Sequence, residues 1–456
     1  MTVHVEPTRA LGPHPLRTHP RTSIGRVVVG SIAAGIVTAL VLTLAVFPGA
    51  TESVVTGSIL VAFGTGWGLI AGLSARMTAQ PQRWAAGPAV AMTVIGVALL
   101  VLSPQDAILT WVSWAWPPAL LSLTGWMFVQ MRRTLRGRGR WMLTAVLLVL
   151  VATSFGAVTQ DVATRNVRAD YPPPGIVYSV GRHALHLDCH GTGSPTVVLF
   201  NGLGEISATW ARVIDDMTGT TRVCAYDRAG QGWSDDAAPQ GGLAASADLH
   251  RLLAAADEDG PFVLVGHSTG GAYAMVYASQ YPELTAGMVL LDSASPRQFD
   301  ELPAYPAQYA AMRRGLAILP TLARVGLGPV LASASHLPAQ AAERVDAMTS
   351  TVRAFRNGRD EITMAPDVFQ QAQALTTLGS RPLFVLSTSE SLDGTKGWRV
   401  AQNRLATLST NQALRDVQAT HAGVVDDEHG AAESVRAITA VVDAVRSGAQ
   451  VTTAAR

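Results

Sequence analysis

Residues 263–271 read VLVGHSTGG, and this stretch decides how the C-terminal part of the chain folds. An apolar run leads into Gly266, Ser268 and Gly270 in the pattern G-x-S-x-G, and small residues follow. The pattern is typical of a strand that turns sharply into a helix and holds a serine at the apex. The glycines allow the two backbones to pass closely where such a turn is strained. The stretch therefore predicts that Ser268 is a nucleophile for acyl transfer.

The surrounding sequence alternates short apolar runs with helical patterns. The predicted strands are residues 175–183, 184–190, 196–201, 222–227, 261–266, 286–292, 382–388 and 414–419. Helical patterns lie between them, for example at residues 243–256 and 433–446. Alternation of nearly continuous apolar strands with helices indicates a parallel sheet that is covered on both faces.

Two more motifs occur in order with the serine motif. Residues 200–204 read FNGLG, and residues 226–234 read YDRAGQGWS, which is similar to a D-x-x-G-x-G-x-S segment. With these motifs, residues 175–450 resemble the α/β-hydrolase superfamily. The resemblance implies an α/β fold with a mostly parallel, doubly wound sheet. The helical insert at about residues 295–380 is then a lid over Ser268, and its apolar content suggests a hydrophobic or acyl substrate.

The resemblance also implies a histidine base, because a serine hydroxyl is a weak nucleophile at neutral pH. His421 directly follows the last predicted strand and precedes residues 422–426, AGVVD. This context is similar to the family pattern G-H-x-x-x-x-D, although Thr420 stands in place of the usual glycine. We expect His421 to be the base.

The acid that orients His421 has two possible positions in the superfamily. The first follows the strand after the elbow helix and is occupied by Asp292. The second lies one strand later and offers Glu390 or Asp393, where Ser389 replaces the usual glycine. Asp292 is the preferred candidate, and Asp393 and Glu390 remain alternatives.

The resemblance places the oxyanion hole at the backbone N–H groups of Leu203 and Thr269. Asn201 departs from the histidine that many relatives carry before the glycine, so the hydrogen bonds that support this loop are expected to differ. A serine nucleophile excludes the alkyl-ester intermediate that relatives with a carboxylate nucleophile form. No cofactor is expected.

Cys189 and Cys224 are the two cysteines of the chain. They fall on the second and fourth predicted strands, which are sheet neighbours in the fold that the resemblance implies. We expect a disulfide between them, and two buried free thiols are the alternative. His183, His186 and His190 lie close together, but they straddle a hairpin with mixed facing, so no metal site is expected.

Five apolar segments precede this domain. They are residues 27–47, 54–74, 85–102, 108–131 and 141–158, and none contains Asp, Glu, Lys, Arg or His. Each is about long enough to cross a hydrocarbon core of ~30 Å as a helix. Pro117 and Pro118 are expected to kink the fourth segment. Residues 27–160 are therefore predicted to be a five-helix transmembrane module.

The arginines predict the orientation of this module. They lie in the tail at residues 1–26 and in the loops after the second and fourth segments, whereas the two other short loops contain no Lys or Arg. The positive-inside rule then makes the N-terminus cytoplasmic. Five crossings place the hydrolase-like domain outside the cytoplasm, after a proline-rich linker at residues 161–174 that ends in YPPP.

The formal net charge of the 456-residue chain is +1, which offers no bulk electrostatic attraction for nucleic acid. The expected protein is a multi-pass serine hydrolase of the cell membrane that acts on an ester or related acyl substrate. One alternative is a non-catalytic extracytoplasmic binding or signalling module. Another is an acyltransferase that uses the same nucleophile. The expected partners are the lipid bilayer and a small hydrophobic or acyl substrate.

Overall fold

The computed structural model describes residues 22–332 and 335–452. Most of the predicted cytoplasmic tail, with Arg9, Arg17 and Arg21, lies outside the described residues. The first six helices are α1 Ile24–Val41, α2 Glu52–Met77, α3 Ala86–Leu102, α4 Asp106–Val112, α5 Trp116–Thr134 and α6 Arg138–Asp170. They form one packed bundle with its own apolar core.

Four helices in the described residues, not five, are long and apolar enough to cross a membrane: Ile24–Val46, Glu52–Met77, Arg83–Leu102 and Arg138–Asp170. The prediction of five was wrong for the fourth segment, which is divided into α4 and α5. Pro117 and Pro118 lie in the first turn of α5, where their missing N–H groups cost no helical hydrogen bond, instead of kinking a continuous helix.

The divided segment still runs between the same two ends of the bundle as α2. At one end, Arg356 contacts both Glu52, the first residue of α2, and Thr110 of α4, at 2.6 and 3.1 Å. At the other end, the Thr134 hydroxyl donates to Gln82, just beyond α2, at 2.8 Å. The chain therefore passes along the bundle five times, although only four helices have the composition of a membrane span.

The predicted linker at residues 161–174 is mostly helical. Helix α6 continues to Asp170, so only the prolines and their neighbours join the bundle to the next domain. No proline or glycine interrupts residues 157–170, and Pro172 marks the point at which the helix can no longer continue.

An eight-stranded sheet forms the centre of the C-terminal domain. Its strands are β1 Ile176–Ser179, β2 Ala184–His190, β3 Val197–Phe200, β4 Val223–Tyr226, β5 Phe262–His267, β6 Thr285–Leu291, β7 Leu383–Thr388 and β8 Gln412–Val417. Their order is β1-β2-β4-β3-β5-β6-β7-β8, and the pairs β1–β2 and β2–β4 are antiparallel. The other pairs are parallel, as predicted for a doubly wound sheet.

Helices cover both faces of this sheet and form the insert between β6 and β7. They are α7 Ala211–Met217, α8 Gly242–Ala255, α9 Thr269–Gln280, α10 Gln298–Glu301, α11 Tyr305–Leu322, α12 Gly328–Leu331, α13 Ala339–Thr349, α14 Val352–Ala372, α15 Ser389–Gly394, α16 Trp398–Ala406, α17 Gly423–Asp426 and α18 Glu428–Ser447. One apolar core lies on each face, because the strands bury side chains in both directions. Helices α10 to α14 form the predicted insert between β6 and β7, called the lid below.

Candidate active site

The predicted sharp turn joins β5 directly to α9. Ser268 lies between them with φ 53° and ψ −125°, a conformation that residues with a Cβ rarely adopt. Such a residue costs about 1–3 kcal/mol and persists only where its surroundings hold it. Here Ser268 donates its N–H to Leu291 and accepts from Ala294, at 3.2 and 3.0 Å. A Cβ on Gly266 would collide with the backbone of Gly271, and a Cβ on Gly270 with the Phe200 carbonyl, which explains both glycines of the motif.

Ser268 is the first member of a hydrogen-bonded chain of three side chains. Its Oγ lies 2.9 Å from Nε2 of His421, which follows β8. Nδ1 of His421 lies 2.7 Å from Oδ2 of Asp292, which follows β6. The His421 side chain is 39% exposed, so solvent reaches the imidazole that links the two oxygens.

Asp292 is fully buried and accepts hydrogen bonds at both carboxylate oxygens. Oδ2 accepts from His421 and from the hydroxyls of Thr388 and Ser391, at 2.8 and 2.5 Å for the hydroxyls. Oδ1 accepts from the Thr388 N–H and the Trp398 indole, at 3.1 and 2.9 Å. Burial opposes ionisation, but His421 and these donors outweigh it and hold the pKa of Asp292 below its usual value.

The two alternative acids, Glu390 and Asp393, differ from Asp292 in their contacts. Glu390 accepts the backbone N–H of His421 at 2.5 Å and does not contact the imidazole. Asp393 lies in α15, and its side chain makes no hydrogen bond or ion pair within residues 22–332 and 335–452. Asp292 is thus the one of the three predicted carboxylates that meets the imidazole.

The predicted oxyanion loop lies against Ser268. A Cβ on Gly202 would stand only 3.1 Å from the Cβ of Ser268. In the described part of the chain, no protein acceptor takes the N–H of Leu203 or of Thr269. Asn201 supports the loop in place of the usual histidine: it donates to the Tyr226 carbonyl at 2.9 Å and accepts from Trp210 at 2.8 Å.

Arg228 binds the same loop through hydrogen bonds. This contact was not predicted from the sequence. Its guanidinium donates to the carbonyls of Asn201 and Gly202, at 2.7 and 3.2 Å. The Gly202 carbonyl and the Leu203 N–H belong to one planar trans peptide, in which they point in opposite directions. Arg228 therefore fixes the direction in which Leu203 presents its N–H.

Glu361, on lid helix α14, connects the lid to this loop. Its Oε1 accepts from Arg228 and Gln231 at 2.7 and 2.8 Å, and its Oε2 accepts from the Gly204 N–H at 3.1 Å. Burial acts to lower the pKa of the Arg228 guanidinium, but the Glu361 charge outweighs it and raises that pKa above its ordinary value. The direction of the Leu203 N–H thus depends on a lid residue.

A second acid–base pair, also missed from the sequence, lies under the nucleophile. Glu205 lies 2.6 Å from Nδ1 of His267, and Nε2 of His267 donates to the His421 carbonyl at 2.8 Å. A carbonyl only accepts, so Nε2 carries a proton. Burial lowers the pKa of His267, but the Glu205 charge outweighs it, and the net pKa is raised. His267 holds the backbone of His421 in place.

The predicted disulfide is present. Cys189 and Cys224 are directly opposite each other on the antiparallel strands β2 and β4, and their sulfurs are bonded. The clustered histidines each pair with a separate carboxylate: His183 with Asp248 at 2.8 Å, His186 with Asp227 at 2.9 Å and His190 with Asp188 at 2.8 Å.

A cavity of 920 Å³ lies between the helical bundle and the C-terminal domain. Trp111 and the residues before α4 line one side, and Tyr273 and Met364 line the other. Arg228 and Glu361 also line it, so the cavity extends to the groups that hold the oxyanion loop.

Comparison with known proteins agrees with this fold. Residues 195–377 match the sequence model of a family described as alpha/beta hydrolase fold. The lipase LipV of Mycobacterium tuberculosis is 38% identical over 113 residues, which are 24% of this chain and 42% of that protein. A putative carbamate hydrolase, RutD of Rhizobium rhizogenes, is 31% identical over 115 residues, or 24% of this chain and 44% of that protein. The chain thus spans less than half the length of these two relatives.

A solved structure extends the comparison to the whole C-terminal domain. The Cif epoxide hydrolase from Acinetobacter nosocomialis superposes with a TM-score of 0.50 at 16% identity, covering 61% of this chain and 95% of that one. At this identity the likeness concerns the fold alone. The family match over residues 195–377, the strand order and the turn at Ser268 agree that the C-terminal domain has the α/β-hydrolase fold.

Proposed function

We propose that the protein is a membrane-anchored serine hydrolase that cleaves an ester or related acyl substrate. The observation that carries the proposal is the chain of hydrogen bonds from Ser268 through His421 to Asp292, at 2.9 and 2.7 Å. In this order the imidazole accepts the serine proton, and the carboxylate fixes its tautomer and stabilises the imidazolium that forms.

The reaction runs in two halves. As the Ser268 Oγ bonds to the substrate carbonyl carbon, its proton moves to Nε2 of His421. The imidazolium then gives that proton to the leaving oxygen as its bond to carbon breaks, which leaves an acyl-enzyme. Water attacks this ester while His421 takes one of its protons, and the proton passes to Ser268 as the acid product departs.

The negative charge of each tetrahedral intermediate is received by the N–H groups of Leu203 and Thr269. A preorganised donor of this kind is typically worth about 10²–10³ in rate. Arg228 supports the Leu203 donor through the Gly202 carbonyl, which it binds at 3.2 Å. Arg228 is a positioning residue, because its contacts are to the loop.

The names of the relatives and the character of the lid support an acyl substrate with an apolar part. One relative is named as a lipase and another as a putative carbamate hydrolase, and we take these names as support for an acyl substrate. Lid residues 315–332 read GLAILPTLARVGLGPVLA and are largely apolar, which suits a substrate with an apolar chain.

We further propose that the bundle anchors the protein in a cell membrane with the N-terminus in the cytoplasm and the hydrolase domain outside it. The arginine distribution supports this orientation by the positive-inside rule. The Cys189–Cys224 disulfide agrees with an oxidising compartment. The five passes of the chain put the domain at the end of the bundle opposite to Gln82 and the arginine-bearing loops.

Labelling with a fluorophosphonate probe tests the nucleophile. We expect the full-length protein in detergent to be labelled, and Ser268→Ala to remain folded and unlabelled. Ser293→Ala, which alters a buried serine near the turn, is the matched control and should be labelled. If the folded wild-type protein is not labelled, the proposal fails and a binding module becomes the better explanation.

p-Nitrophenyl esters of increasing chain length then define the acyl group that the active site accepts. Product analysis with added alcohols separates hydrolysis from acyl transfer to another acceptor. Free acid as the main product in water–alcohol mixtures is the expected result. Predominant formation of a new ester would identify an acyltransferase instead.

A further inference from the structure

One segment of the lid is largely apolar and nearly free of charge. Residues 315–332 read GLAILPTLARVGLGPVLA and contain a single charged residue, Arg324. The segment includes the end of α11, a turn and α12. It packs against α2 and α6 of the helical bundle and against lid helix α14.

Contacts with α2 give the depth of this segment. The Thr321 hydroxyl lies 3.0 Å from the hydroxyl of Thr56. Thr56 is four residues beyond Glu52, the one charged residue at this end of α2. At 1.5 Å per residue, Thr321 therefore lies about 6 Å inside the end of the helix.

Contacts with α6 give a similar depth independently. The turn of the lid segment meets α6 at Gly156, where the two backbones are very close. A Cβ on Gly156 would collide with the backbone of the turn, and a Cβ on Gly326 would collide with the backbone of α6. The first charged residue after the apolar stretch of α6 is Asp161. Gly156 precedes it by five residues, so the turn lies about 7.5 Å inside the apolar part of the helix.

The one charge of the segment is neutralised at this depth. Arg324 is buried and bonds to the carboxylate of Glu52, which is fully buried as well. Arg356 of α14 contacts the same carboxylate at 2.6 Å. Charged groups close to lipid are expected to be paired within the protein in this way, because an isolated charge there is costly.

The outer surface of the turn consists of exposed apolar side chains. Val330 is 80% exposed and Leu327 is 42% exposed, and on the neighbouring α6 Phe155 is 61% exposed. We infer that this lid segment lies in the outer leaflet of the bilayer, where lipid acyl chains cover Leu327 and Val330. The inference rests on the proposed membrane anchoring and adds that the lid over Ser268 is itself immersed in lipid.

Introduced cysteines provide a direct test, because both native cysteines are bonded to each other. The full-length variants Val330→Cys, Phe155→Cys and Ser447→Cys are labelled with a polarity-sensitive fluorophore and placed in phosphatidylcholine nanodiscs. A fraction of the lipid carries a nitroxide near the top of the acyl chain. Ser447 is exposed beside the N-terminal ends of β3 and β4, at the sheet edge opposite to the lid, so it is the control for a position in water.

We expect the nitroxide to quench the labels at Val330 and Phe155 at least threefold more than the label at Ser447. Quenching at Phe155 with none at Val330 would overturn the immersed lid and leave the anchoring intact. Absence of quenching at Phe155 would refute the anchoring itself, and the inference with it. Val330 makes few contacts, so its substitution leaves the fold unchanged.

A second variant tests the contact that holds the segment at this depth. Gly156→Ala should push the turn away from α6, and quenching at Val330→Cys should fall at least twofold while quenching at Phe155→Cys is unchanged. Gly72→Ala, in α2, is the matched control, because a Cβ there meets open space. Equal quenching at Val330→Cys in the Gly156→Ala and Gly72→Ala backgrounds would contradict the docking described here.

Discussion

Replacing Asp292 by asparagine should remove most of the activity without unfolding the domain. Oδ1 of Asp292 accepts from two N–H groups, those of Thr388 and the Trp398 indole, and neither can reverse its role. The amide oxygen of the variant must therefore take this position. The amide nitrogen then faces His421 and the hydroxyls of Thr388 and Ser391, which can rotate to accept.

The substitution changes the tautomer of His421. Facing an N–H donor, Nδ1 of His421 must present a lone pair, so its proton moves to Nε2, which is 2.9 Å from the Ser268 Oγ. An imidazole in this tautomer cannot take the serine proton. The loss expected for a wrong tautomer in a Ser-His-Asp site is about 10⁴-fold in kcat. This corresponds to about 5.4 kcal/mol of transition-state stabilisation.

The assay is hydrolysis of a short p-nitrophenyl ester by the full-length protein in detergent, with thermal unfolding to verify the fold. Asp393→Asn is the matched control and should stay within about twofold of wild type, since Asp393 does not meet the imidazole. Glu390→Gln should cause a smaller loss than Asp292→Asn, because Glu390 contacts only the backbone of His421. Retention of more than a tenth of the activity by Asp292→Asn, or a large loss in Asp393→Asn, would refute the reasoning.

Three further outcomes follow from contacts around the site. Glu361→Gln should reduce kcat roughly tenfold to a hundredfold with little change in KM, less than the 10²–10³ for losing a whole oxyanion donor; an effect on KM alone would contradict the positioning role. Cys189→Ser should lower the free energy of unfolding by about 2–4 kcal/mol, because the bond to Cys224 closes a loop of 35 residues; an unchanged denaturant midpoint would argue against this. Below pH 6.5 the charged form of His267 contributes fully to the free energy of unfolding, and this contribution is lost as the pH rises through its raised pKa. Glu205→Gln should lower the pKa of His267, which a histidine NMR titration measures. An unchanged pKa in this variant would contradict the ion pair.

The sheet and the sharp turn at Ser268 were predictable because their signals are local. All eight strands lie within a few residues of the predicted ranges, since buried parallel strands are short apolar runs between turns. The position of Ser268 followed from glycines two residues away on each side. The errors at the fourth apolar segment and the linker are also local: prolines are accepted in the first turn of a helix, and an apolar helix extends into polar residues when nothing breaks it.

Local sequence could not decide which carboxylate meets the His421 imidazole. Asp292 and Glu390 follow β6 and β7, which are neighbours, so the sequence brings both carboxylates to the same edge of the sheet. Which one meets His421 depends on side-chain direction, and that direction is set by buried donors such as Trp398 on another helix.

The groups that tune the site were invisible for the same reason. Glu205 and His267 are 62 positions apart, Glu361 and Gly204 are 157 apart, and Arg324 and Glu52 are 272 apart. Backbone conformation responds to neighbours in the chain, and so the motif at residues 263–271 was enough to predict a strained turn with a serine at its apex. The acid, the grip on the oxyanion loop and the depth of the lid arise from packing between distant segments, because only the folded chain brings those charges and hydrogen-bonding groups within reach of one another.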